Sequence, residues 1–461
     1  MQHDLPNPPE SGLRNALRFG DNTFRFIETM QARFDDAVAV PSPGRAPLVI
    51  VTNPDLVHDA LSRPAEFGRV PATGPAALIS ENGLVQSDGD LWRQQRSIMG
   101  PAFMGPRVRA YANTVGRRVE TLVDEWNAAL DATDDGTLER DLHGEMTALT
   151  VRVASEILLG EDIGRERAEQ FHEWMAVAGD EFEFGLDAVS PEWVPTRTDP
   201  AFREAADGIL GLAEELIERR RDDLAGRDDE EAEPPKDMLS LLIRAESDPD
   251  VEYPENQIRD EVATFLIAGH ETTALSLTYT QSLLAWHPDV RDRVRAEVES
   301  VLGDDTPTYE HVDGLDYTGR VFTEALRRYP AAWAVFRQAS ADVRLGDYRV
   351  PEGSAVVMPQ WSIHRDERYF DSPDEFDPDR WIDRSPQSVP AYFPFSSGPH
   401  ACIGRQFSVT GARLVLAAIV RSFAVDVDEN ALADLRATPT LRPGGPIPAT
   451  ITRRTDSNRA F

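Results

Sequence analysis

The only cysteine in the chain, Cys402, lies in the stretch FPFSSGPHACIG that spans residues 393–404. Phe395, Gly398, His400 and Gly404 flank it, and ordinary composition would set those types at those offsets around one cysteine with a probability on the order of 10⁻⁵. Beyond Gly404 the chain continues as RQFSVTGARLVLAAIVRSF, whose spacing predicts a helix with Phe407, Leu414, Val415, Ala418 and Ile419 on one side. The thiol is thereby set at a helix N-terminus. Free amides and the positive end of the helix dipole favour the thiolate there, and thiolate is the form that ligates a metal or attacks carbon. A solitary cysteine is otherwise a small buried hydrophobe, and a nucleophilic one would want a His and an acid or amide around it, with a local signature such as Gln-Ala-Cys that is missing here.

Other groups could serve such a centre. A long apolar pattern carries Ala268, Gly269, His270, Glu271, Thr272 and Thr273 in its middle, and polar residues on so apolar a helix cost stability and ask for a reason. In EALRRYP, Glu324 and Arg327 stand three apart before Pro330, a pairing that is common and weak on a surface. Arg380 follows in FDPDRW, DLWRQQR supplies Trp92 and Arg96, and Arg337 comes seven residues after Pro330. His364, Arg365 and Asp366 spell a protein-kinase triplet, but no Gly-rich phosphate loop occurs and the single lysine, Lys236, lies in an acidic stretch.

With Phe-x-x-Gly-x-His-x-Cys-x-Gly complete from Phe395 to Gly404, and the other motifs in this order, the sequence resembles the cytochrome P-450 family over residues 48–451. The resemblance implies a mainly α fold with a smaller β-rich region near the N-terminus. It implies one domain over residues 1–461, with flexible ends at about 1–20 and 453–461. It also implies a heme b cofactor, iron protoporphyrin IX, with Cys402 as the axial iron ligand, whose electron donation favours O–O cleavage. Ala268 and Gly269 would then leave space for dioxygen, and Glu271 with Thr272 would relay protons to it, while His270 is not needed as a ligand. Trp92, Arg96, Arg337 and His400 would meet the heme propionates, because the planar arginine fork bonds both oxygens of a carboxylate. Phe395 and Gly404 complete the cofactor-binding set, the glycine letting backbone pass close to the porphyrin. Glu324, Arg327 and Arg380 would form a buried lock beside the Cys loop. Leu84, Val85, the stretch from Trp333 to Phe336, and Thr440 with Leu441 would line the substrate pocket over Ala268.

The activity so implied is a monooxygenase that inserts one oxygen atom into a hydrophobic substrate, a fatty acid, isoprenoid or steroid-like molecule, and releases the other as water. Electrons are expected from a separate ferredoxin and ferredoxin reductase, because 461 residues leave no room for a fused flavin reductase and no iron–sulfur cysteines exist. Docking is expected on the Cys402 side, where Arg405, Arg413 and Arg421 follow the loop. Two readings stand beside this one. A heme-thiolate isomerase or dehydratase would not need Glu271 and Thr272, and a heme-based gas sensor would carry an output domain.

The elements that must position these groups are mostly helical. One pattern opens after Pro254 and runs from about residue 256 to 286, apolar on several sides as a buried central helix is. Short β-like runs, PLVIVT (47–52) and SAVVMPQ (354–360), are scattered among helical patterns, and no repeat is visible. RRRDDLAGRDDEEAEPPK (219–236) reads as an exposed charged loop between helices. The apolar run at 414–420 is far too short to cross a membrane and the N-terminus lacks the pattern of a secretory signal, so a cytoplasmic monomer without a membrane anchor is expected.

The charge balance narrows the partners. With 80 acidic and 47 basic residues the net charge is −33, and every cation but Lys236 is an arginine or a histidine. Nucleic acid and anionic membrane are excluded as partners, because phosphate contacts need a basic surface. The composition fits a protein built for high salt, where the Debye length shrinks to about 3 Å and self-repulsion is screened. Melting is expected to shift upward between dilute buffer and molar KCl, and equal melting in both would sink the high-salt reading.

Overall fold

A helix that is apolar at every angle has no solvent face and must be wrapped by other elements. In a computed structural model of the chain, which describes residues 3–42, 44–72, 74–182, 198–226, 237–249 and 251–454, the predicted central run forms one helix, Gln257–Trp286. Most of its side chains are buried, on all sides. Around it pack Leu142–Ala154, Pro200–Ala225, Asp316–Arg328 and Arg405–Ser422, with the closest and longest contact made by Leu142–Ala154. Gly269 faces Ala154 and Leu158 across that contact, where an added Cβ would meet them at 3.6 and 3.9 Å, ordinary packing distances. Gly89–Met99, Pro106–Asp131, Gly164–Glu181 and Pro288–Leu302 complete the main helical body.

A second core is built on strands rich in β-branched residues. Its five-stranded sheet has the order Ala37–Val40, Leu48–Val51, Ala355–Met358, Val335–Ala339, Phe67–Gly68. Val49 pairs with Val356 in parallel, Arg337 with Val356 and Phe67 with Ala339 in antiparallel. The β-rich region is therefore not N-terminal alone: two of its strands come from residues 335–358. The pairing has a chemical consequence, because it brings Arg337 close to the residue after Gly68, Arg69, which lines the main cavity.

The flexible start expected for residues 1–20 is not what the structure holds. His3–Asp4 pairs in parallel with Tyr348–Val350, and the helix Gly12–Asp21 buries Asn15, Ala16 and Phe19. An apolar face at Ala16 and Phe19 ties this segment to the core. Residues 219–225, expected in a loop, continue the helix Pro200–Ala225, and 227–236 lie outside the described residues. Arg453 ends a strand and bonds Asn127 and Asp131, while 455–461 also lie outside the described residues.

The expected charged lock is fully enclosed. Glu324 and Arg327 have no exposed side-chain surface and form two parallel bonds, Nη2 to Oε1 at 2.7 Å and Nε to Oε2 at 3.0 Å. Glu324 also accepts from Trp381 Nε1 at 2.9 Å, from the Asp377 amide at 3.2 Å and from Arg380 Nε at 3.4 Å. Arg327 donates its remaining protons to the carbonyls of His364, Pro373 and Glu375 at 2.7–2.9 Å. His364 Nε2 in turn accepts the amide of Phe393, where the Cys loop begins, at 3.4 Å. Removing one partner of such a pair strands a buried charge, so Glu324→Ala should lose about 3–5 kcal/mol of unfolding free energy. Denaturant titration measures this, and a loss under about 1 kcal/mol, typical of an exposed pair, would contradict the lock.

Candidate active site

The Cys loop is shaped by backbone bonds. The Cys402 amide donates to Phe395 O at 2.9 Å and that of Ala401 to Gly398 O at 3.1 Å. Gly398 has φ +71°, and a Cβ there would lie 2.2 Å from Leu61 O, so both the conformation and the space require glycine. His58, on the helix Pro54–Ser62 that carries Leu61, reaches Ser397 Oγ and Pro390 O, each at 2.9 Å. Nothing in the sequence singled out His58, because its partners lie more than 330 residues away. Gly404 then opens the helix Arg405–Ser422. The Cys402 thiol presents its surface to a cavity while protein surrounds it. That enclosure pushes its pKa up, opposed by the Gly404 amide, the Arg96 charge and the Arg405 amide.

The cavity holds about 350 Å³. Cys402, Phe395 and Gly404 form one wall, and Ala268, Gly269, Thr272 and Thr273 of the central helix form another. Leu84, Val85 and Val335 line it as expected. Trp333, Ala334, Phe336, Thr440 and Leu441 do not. Trp333 is fully buried and its indole N–H bonds Thr438 O, while Leu441 is fully buried with its amide on Ala331 O. Ala331 and Ala332 line the cavity instead, together with Phe103, Tyr111, Leu149, Val153 and Leu158. These last residues belong to apolar patterns that spacing assigns to core, since a core face and a cavity face look alike in sequence.

Basic groups gather along one rim. Arg69, Arg96 and His400 line the cavity, Arg337 lies behind them close to Arg69 and His400, and Trp92 packs edge-on against His400 with ring centres 4.3 Å apart. Arg96 Nη1 donates to Ala401 O at 3.1 Å, and His400 Nε2 lies 3.5 Å from Asp88 Oδ1. Burial, with Arg69 next to it, lowers Arg337 to a pKa of about 9. Burial, with Arg69 and Arg337 near, lowers His400 to about 4, so its ring is neutral at pH 7. Arg337 Nη2, His400 Nδ1, Arg69 Nε and both amide atoms of Gln360 are buried without a partner, and such groups cost free energy until something bonds them. Arg69 and Gln360 were not foreseen; Arg69 follows a two-residue strand and carries no motif.

Residues 6–443 match the family model described as Cytochrome P450. The chain belongs to the cytochrome P450 family. It is 34% identical over 410 residues to a cyclooctatin synthase of Streptomyces melanosporofaciens, covering 88% of this chain and 86% of that one. It is 30% identical over 423 residues to the cyclooctat-9-en-7-ol 5-monooxygenase of the same species, with the same coverage. Against the 11-oxo-beta-amyrin 30-oxidase of Glycyrrhiza uralensis the figures are 29% over 421 residues, 88% and 79%. Membership makes this P450 a heme-thiolate monooxygenase, an oxidoreductase that incorporates oxygen, binds heme b and draws electrons from a redox partner. Its residues fit that group: the unpartnered arginine and histidine N–H atoms are donors for carboxylates, and the cavity offers a thiol opposite small side chains.

The expected proton pair of this P450 does not sit together on the cavity. Thr272 lines it, with Oγ1 on Ala268 O at 3.2 Å. Glu271 points the other way, into a second cavity of about 310 Å³ lined also by Asp141, His143, His172, His270 and Arg442. Successive helix residues diverge by about 100°, and here Thr272 and Thr273 fall on the cavity side while Glu271 falls beyond its edge. Arg442 Nε and Thr440 Oγ1 each bond Glu271 Oε1 at 2.6 Å. Burial resists ionisation of this carboxyl, yet Arg442 outweighs it and holds the pKa below the ordinary carboxylate value. Burial holds His270 down at about 4 and His143 at about 3, and no group of three or more metal-binding side chains forms among the described residues. No helix of the described residues is long and apolar enough to cross a membrane.

Of the three arginines expected at a docking face, Arg413 donates to Val312 O and Arg421 pairs with Glu120 at 2.6 Å. Arg405 alone of the three is exposed.

Proposed function

We propose that this P450 oxygenates an isoprenoid, acting as a cytoplasmic monomer with a ferredoxin and its reductase. The observation that carries the reading is the apolar cavity into which Cys402, Ala268 and Thr272 all face. The names of the relatives specify cyclooctat-9-en-7-ol and 11-oxo-beta-amyrin, which favours an isoprenoid over a fatty acid or a steroid. Heme bound here supplies activation of dioxygen for insertion into a C–H bond. Cys402 Sγ is its ligand, with the Gly404 and Arg405 amides and the Arg96 charge lowering the cost of thiolate. Arg69, Arg96, Arg337 and His400 bind its carboxylates and Gln360 bonds nearby, so that, Arg96 apart, the cofactor is held by groups that are otherwise unsatisfied. Phe395, Gly404 and Trp92 flank it.

Ala268 and Gly269 leave room on the opposite side. The Thr272 hydroxyl passes protons from there to the reacting oxygen, and Glu271 can resupply it only when its carboxylate leaves Arg442. The ferredoxin docks on the Cys402 face at Arg405, the exposed cation nearest the loop.

The reduced carbon monoxide complex should show the strongly red-shifted Soret band of thiolate ligation, and Cys402→Ser should lose it; a histidine-type band would sink the assignment. In turnover driven by NADPH, ferredoxin reductase and ferredoxin, a cyclic isoprenoid should give product at least about tenfold faster than a long-chain fatty acid. Thr272→Ala should cut product formation by about 10²-fold while NADPH consumption continues. Arg405→Glu should slow the first electron by about tenfold at low salt. Product from the fatty acid alone, coupled turnover in the Thr272 variant, or an unchanged electron rate would each overturn its part.

A further inference from the structure

The central helix grips a piece of the cavity wall by its backbone. Asp260 Oδ2 accepts the Asn82 amide and Glu261 Oε2 accepts the Leu84 amide, each at 3.0 Å. One turn later Thr264 Oγ1 meets Ser80 Oγ at 2.8 Å. The carbonyl of Asn82 accepts Gln257 Nε2 at 3.1 Å and Gln95 Nε2 at 2.5 Å. Gly83 lies between the two gripped amides, so close that an added Cβ would be 1.9 Å from Thr264 Oγ1. The residues just past this grip, Leu84 and Val85, line the cavity. Four side chains, Asp260, Glu261, Gln257 and Gln95, are thus spent on the main chain of one short loop, and Glu261 is fully buried in doing so.

Two adjacent carboxyls in a protein interior are an expensive way to fill space. Burial pushes Glu261 up to about 8, with the Leu84 amide opposing and Asp260 reinforcing the shift. Arg259 lies 3.4 Å from Asp260 and 3.5 Å from Glu214, and Tyr253 faces Glu261, so no cation neutralises Glu261 directly. Both Glu261 oxygens act as acceptors, Oε2 for the Leu84 amide and Oε1 for Gln257 Nε2 at 3.1 Å.

We propose that Asp260 and Glu261 are specificity-determining positioning residues, which hold the Asn82 and Leu84 amides so that Leu84 and Val85 set the size of apolar molecule the cavity accepts. This rests on the proposed binding of an apolar molecule beside the heme.

The test uses the holoenzyme with two probes of different length, 1-phenylimidazole and 1-dodecylimidazole, read by the Soret shift on binding, together with backbone hydrogen exchange over residues 80–88. Glu261→Ala should speed exchange of this loop by about tenfold, the equivalent of one lost hydrogen bond, and change the ratio of the two Kd values by at least about fivefold. Its reduced carbon monoxide band should stay in place. Glu261→Gln, which keeps an acceptor, should hold both quantities within about twofold of wild type. Gly83→Ala displaces the same loop without touching a carboxyl and should move the Kd ratio in the same direction as Glu261→Ala. Unchanged exchange in Glu261→Ala, or faster exchange with an unchanged Kd ratio, overturns the proposal alone. A wild-type holoenzyme that binds neither azole overturns the apolar-cavity reading as well.

Discussion

An arginine deep in a protein must satisfy five N–H donors at once, and few places can offer five acceptors. Arg327 finds all of them: two carboxylate oxygens of Glu324 and the carbonyls of His364, Pro373 and Glu375. Those carbonyls belong to a stretch of irregular backbone that no helix or sheet could otherwise fix. Because His364 is held in this way and stays neutral, its Nε2 can receive the Phe393 amide and anchor the first residue of the Cys loop. Tyr392 stacks on His364 and bonds Thr323 O at 3.0 Å, so the loop is tied twice to the helix that bears the ion pair. Many other ion pairs lie on the surface, such as Arg293 with Asp379, and each contributes little by comparison.

The far end of the same loop depends on a different constraint, the crowding of like charge. Arg69 and Arg96 stand on the cavity rim with Arg337 close behind Arg69, two of the three delivered by neighbouring sheet strands and one by the helix Gly89–Met99. Asp88 is the carboxylate that faces them, and its attraction does not keep Arg337 at its ordinary pKa. A chain with net charge −33 has ample carboxylates, yet this rim is left short of them. A cofactor bearing two carboxylates, held as proposed, would remove that imbalance, so that holding the group and relieving the fold would be the same event.

Much of this was legible in the sequence because the informative residues act locally. The helix after Cys402 reads correctly because its apolar spacing is local, and the central helix because its apolar pattern is long. Leu84 and Val85 fell on the cavity as read. Thr440 and Leu441 did not, because their hairpin, Leu435–Ala437 with Leu441–Pro443, turns them toward Glu271 and the core, and hairpin facing is not encoded at the residues themselves. His58 was invisible for the complementary reason, since its partners lie more than 330 residues away, and Arg69 and Gln360 carry no motif. The order of residues 3–21 was missed because a short amphipathic helix beginning near a terminus resembles a loose tail until its apolar face finds a core.

Glu271 and Thr272 belong to one turn of helix and look into different rooms. On the Thr272 side the walls are oil-like; on the Glu271 side they are imidazoles, carboxylates and a guanidinium. The backbone between them works as a phase boundary, keeping an organic compartment and an aqueous one in contact without letting them mix. A reaction that consumes protons beside an apolar molecule, as proposed for this site, would need such a boundary, and the rotamers of two adjacent side chains would set its permeability.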